Sequence, residues 1–99
     1  MKDVSLILKS KNMNDLKQSI SRSDMVDRFI ALANEFGKTE PKEHVGAAMM
    51  YAASRYNAFE ASTKSKDLAK NKVDILNWFS TEYRRMLDGN LDEMIDLQR

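Results

Sequence analysis

The chain has 99 residues, a length at which roughly two thirds of the unfolded surface can be buried, so one modest core is available and two are not. Hydrophobic residues at 42% and charged residues at 31%, with three glycines and one proline, exclude disordered, collagen-like and low-complexity classes. A formal charge of +1 excludes the global field of a polybasic nucleic-acid or membrane binder, and the lack of cysteine excludes disulfide scaffolds, thiolate metal sites and thiol nucleophiles.

Helix formers are common, while β-branched residues are thin and never alternate over a strand's length. The expectation is an all-α protein: a compact bundle of three main helices with an N-terminal arm over 1–20 and a short C-terminal helix, the bundle domain covering 21–99. The arm carries Val4, Leu6, Ile7, Leu8, Met13, Leu16 and Ile20 with weak periodicity. A short helix can open at Asn14, because Asn caps well and Leu16 and Ile20 share a face. The apolar run Val4 to Leu8 is too short for a secretory signal, and no stretch approaches the ~20 residues that cross a bilayer. A cytoplasmic protein with no membrane partner is expected.

The first main helix is predicted from about Ser23 to Phe36. Ser21 or Ser23 caps it, Asp24 and Asp27 meet the positive end of its dipole, and Val26, Phe29, Ile30, Ala33 and Phe36 recur at helical steps. Gly37 is expected to supply a left-handed stop. Pro41 then falls in the first turn of the second helix, where its missing N–H costs nothing. From Val45 to about Ala61 that helix is apolar or small on nearly every side, which predicts a central position in the bundle.

Ser62 to Ser65 read as a loop. A long helix is predicted from about Lys66 to Leu87, with Leu68, Val73, Leu76, Phe79, Tyr83 and Met86 making a broad stripe. Asp88, Gly89 and Asn90 are expected to end it. Asn90 with Glu93 has the spacing of a capping box, which predicts a last short helix bearing Leu91, Met94, Ile95 and Leu97.

The central block MMYAASRYNAF, with RFIALANEF before it and STEYRRMLDGNLDEMI after it, resembles a small family of bacterial proteins known only as a domain of unknown function. The resemblance spans about Asp24 to Ile95 and leaves the arm outside. It implies bacterial origin and a compact helical domain, and it brings no activity, substrate or cofactor.

No residue set makes a convincing catalytic or metal centre, and neither a cofactor nor a metal is expected. His44, the only histidine, stands near Glu40 and Glu43, and pairing it with a carboxylate one turn away gives two ligands where a catalytic zinc uses three protein groups. With one histidine to activate any serine, nucleophile–base arrangements fail as well. Asp92, Glu93 and Asp96 lack the spacing of a known cation loop and serve better as helix-capping, solubilising acids.

Arg55 and Asn57 lie inside the apolar second helix with Tyr51 and Tyr56 beside them. One reading is a polar pocket for a small anion or carboxylate; the preferred one is an inter-helix pair, such as Arg55 with Glu82, that fixes register. Lys64, Lys66, Lys70 and Lys72 form a basic cluster without the interleaved aromatics or arginines of a nucleic-acid groove, so a solvated helix start is preferred over a nucleic-acid partner. Lysines at a helix start also oppose the dipole, for which the sequence alone offers no account.

Surplus apolar residues carry more information. Leu6, Leu8, Leu91, Met94 and Ile95 exceed what three helices need to close a core, and a two-fold homodimer is the simplest cover. The expected function is a non-enzymatic helical interaction module that self-associates, with a further protein partner open. A ligand or enzymatic pocket around Tyr51, Arg55, Tyr56 and Asn57 is the alternative, and nucleic-acid binding through Lys64 to Lys72 is a weaker one.

Overall fold

A computed structural model describes residues 19–99. The described residues form three α-helices and no strand: α1 Arg22–Phe36, α2 Lys42–Lys64 and α3 Leu68–Gln98. The protein is all-α, as its composition predicts. The expected arm falls almost wholly outside the described residues, as does the helix opening at Asn14. The chain divides into two units, residues 1–49 and 50–99, with the boundary inside α2.

In the first unit, Ser21 caps α1. Its backbone is extended, and its hydroxyl accepts a hydrogen bond from the Asp24 N–H at 3.1 Å, with Asp24 in the first turn of the helix. The left-handed stop expected at Gly37 is not formed: Gly37 is right-handed, at φ −64° and ψ −12°, and no described residue has a positive φ. Successive short turns do the work instead. The N–H of Gly37 reaches the Ala33 carbonyl at 2.9 Å, and those of Thr39 and Glu40 both reach that of Phe36, so the last carbonyls are satisfied without reversing the backbone. Pro41 sits one residue ahead of α2 rather than in its first turn. Its carbonyl accepts from the N–H groups of His44 and Val45 at 3.1 and 3.2 Å, the role of a cap.

In the second unit, α2 continues to Lys64, past the end expected at Ala61. Of the residues read as a loop, Ser62, Thr63 and Lys64 are helical and Ser65 is not; the Ser62 and Thr63 hydroxyls donate back to the carbonyls of Phe59 and Glu60, at 2.6 and 2.7 Å, instead of turning the chain. The turn to α3 is then short and stapled. Ser65 Oγ accepts from Asn71 Nδ2 at 2.8 Å, and Asp67 caps α3 by accepting from the Lys70 N–H at 3.1 Å. That cap starts α3 at Leu68 instead of about Lys66.

The break expected at Asp88–Asn90, with its separate C-terminal helix, is absent: α3 runs unbroken for 31 residues, about 46 Å at 1.5 Å per residue. A glycine inside a helix costs only about 1 kcal/mol relative to alanine. With no left-handed residue to turn the chain and apolar residues continuing at helical period on both sides, one glycine does not end the helix.

Within this unit Asn57 and Glu60 on α2, and Asn71, Ile75, Phe79 and Glu82 on α3, are part-buried, and the small side chain of Ala61 is buried. On α3 these positions fall three and four apart, so one face of α3 makes the contact. The extensive burial expected of the second helix is not observed. Ala61 is its one buried side chain, because a helix so rich in alanine offers little bulk and no single apolar face to seat.

Candidate functional site

The residues singled out for a polar pocket pair locally. The Arg55 guanidinium carbon stands 5.9 Å from the centre of the Tyr51 ring, a cation–π approach made on the surface, with Tyr51 64% exposed. Asn57 Nδ2 donates to Glu60 Oε1 at 3.2 Å, and the rings of Tyr56 and Phe59 lie 6.0 Å apart. Glu82 bonds Arg85 at 2.7 Å on its own helix rather than Arg55, since a partner three residues on is placed there by the helix itself. The hydrogen bond and then the charge of Glu82 hold the Arg85 guanidinium above its ordinary pKa.

Two open crevices flank the contact of this unit. One, of about 320 Å³, is lined by Ala58, Ala61, Leu68, Ala69, Lys72, Ile75 and Leu76. The other, of about 400 Å³, includes Glu60, Ser65, Asn71, Trp78 and Phe79, the last two packed edge to face at 5.0 Å. None of Tyr51, Arg55, Tyr56, Asn57 or Glu82 lines either crevice.

The basic cluster is spread over three settings. Lys64 closes α2 at 3.9 Å from the Glu60 carboxylate, Lys66 lies in the turn, and Lys70 and Lys72 occupy the start of α3. α3 has no acid in its first turn and no base in its last, the reverse of what a helix dipole favours. Among the described residues no three of histidine, aspartate and glutamate gather as metal ligands would. Nor is any helix among them long and apolar enough to cross a membrane.

The dominant surface feature is apolar. On α1, Met25, Val26, Phe29, Ile30, Leu32 and Phe36 are all exposed. On α3, Val73, Leu76, Tyr83, Leu87, Met94 and Leu97 are exposed, Leu97 to 76%, and alternate spacings of three and four carry them along one side with Ser80 and Asn90 completing the series. Leu91 and Ile95, two of the expected interface residues, adjoin Met94 on the same stretch and are exposed too. Leu6 and Leu8 lie outside the described residues. Sequence reading missed the continuity of this seam: the stop expected at Gly89 cut it in two, and only the heptad spacing carried across Gly89 could have joined the halves.

The family model described as "Protein of unknown function (DUF3144)" matches residues 23–95. No curated protein and no solved structure matches the chain.

Proposed function

We propose that this chain, which belongs to the family described as "Protein of unknown function (DUF3144)", is a non-enzymatic interaction module that works by associating with a second copy of itself. One observation carries the reading: Ala61 is the one buried hydrophobic side chain among the described residues, while large apolar side chains on all three helices are exposed. Monomers rarely leave so much apolar surface in water. Fully burying one leucine, valine or methionine is worth about 1.5–3 kcal/mol, so a few such side chains from each copy offset the entropy of association.

A second copy is favoured as occupant because the apolar series on α3 has coiled-coil spacing and helices with such spacing pair with their like. The setting proposed with it is the bacterial cytoplasm, supported by the resemblance of the central blocks and by the absence of cysteine, which suits a reducing compartment. Thermal unfolding over a hundredfold dilution series tests the reading. A dimer's midpoint falls as the protein is diluted, because unfolding releases two chains. A midpoint independent of concentration contradicts it, and stabilisation appearing only with a foreign protein points to a different occupant.

A further inference from the structure

The charges on α3 are arranged against the dipole of their own helix. Lysines Lys64, Lys66, Lys70 and Lys72 cluster about its start, while Asp88, Asp92, Glu93 and Asp96 crowd its last three turns with no lysine or arginine among them. Within one chain Asp67 caps the start, Lys64 pairs with Glu60 at 3.9 Å and Arg99 with Asp96 at 3.9 Å, which leaves Lys66, Lys70 and Lys72 at the positive end and Asp88, Asp92 and Glu93 at the negative end opposing the dipole. The arrangement becomes favourable beside a helix of opposite direction, where the basic start of one copy meets the acidic end of the other.

Resting on the self-association reading, we infer that α3 is the dimer seam and that two copies pair along it antiparallel about a two-fold axis near Glu82. The seam is the heptad series Val73, Leu76, Ser80, Tyr83, Leu87 and Asn90, extended to Met94 and Leu97 and back to Ala69. With the axis near Glu82, Lys72 of one copy flanks Glu93 of the other, twice by symmetry. Along the seam Leu76 meets Leu87, Tyr83 meets the small Ser80 and Met94 meets Ala69, so large residues face small ones. Asn90 against Val73, formed twice by symmetry, sets a polar amide on an apolar side chain, the kind of site that fixes register at a cost in stability. The crevice lined by Ala58, Leu68, Ala69 and Leu76 runs beside this seam and takes the flank of the incoming helix. A parallel pair would set lysines beside lysines and acids beside acids.

The cysteine-free chain allows a direct test with Lys72→Cys and Glu93→Cys, two full-length single variants. In the antiparallel dimer residues 93 of the two copies lie roughly 30 Å apart along the axis at 1.5 Å per residue. A disulfide spans only about 4–7 Å between Cα atoms. Mixed, exchanged and mildly oxidised, the two variants are expected to give the mixed disulfide and no homodisulfide, with helicity and mass checked for each. Homodisulfides from either variant alone, or a dimer mass with no disulfide of any kind, overturn the antiparallel seam and leave self-association standing. A monomeric mass for the unmodified chain overturns both.

Discussion

Asp67 starts α3 through one hydrogen bond, from the Lys70 N–H to its carboxylate at 3.1 Å, on an exposed turn where nothing else in the helix's first turn is acidic. Asp67→Ala removes that acceptor and the only negative charge at the positive end of the helix. It is expected to cost about 0.5–2 kcal/mol, read as a lower urea midpoint at fixed protein concentration. No change would mean that the Ser65–Asn71 bond, at 2.8 Å, holds the turn alone. At this scale the sequence was informative only where a residue has one strong local habit. The capping role of Ser21 was legible because serine before Asp24 and an apolar period has few other uses. The back-donation of Ser62 and Thr63 into α2 was not, because a hydroxyl can end a helix or donate back into it, and the choice depends on neighbouring carbonyls that the sequence does not display.

Among the elements, α3 departs most from its sequence reading, and Gly89 is the reason. An added Cβ there would meet nothing within 4 Å, and the backbone is not left-handed. Gly89→Ala is therefore expected to stabilise the protein by about 0.5–1 kcal/mol and raise its helical signal in circular dichroism. Destabilisation would instead indicate the break that the DGN sequence suggests. The three helices themselves were legible, since 3.6-residue periodicity and caps are local properties. Burial was not legible, because it depends on which faces meet. The polar-pocket residues show the same limit: Tyr51, Arg55, Asn57 and Glu82 could be named from the sequence, whereas the pairing of Glu82 with Arg85 rather than Arg55 needed the helix geometry.

For the whole molecule, the claim is that apolar surface left uncovered on one chain is covered by another. A charge placed in the middle of the α3 series should abolish that cover. Leu87→Lys is expected to shift the protein from dimer to monomer while a lysine at exposed Thr81, away from the apolar series and its flanks, leaves the mass unchanged; equal behaviour of the two variants would locate the interface elsewhere. The most direct measurement is the molar mass of the unaltered full-length chain in solution, by size exclusion with light scattering across the micromolar range. A mass of twice the 11.4 kDa of one chain is the predicted result. A mass of one chain at every concentration would contradict it, and with it the reading of this protein as a self-associating module.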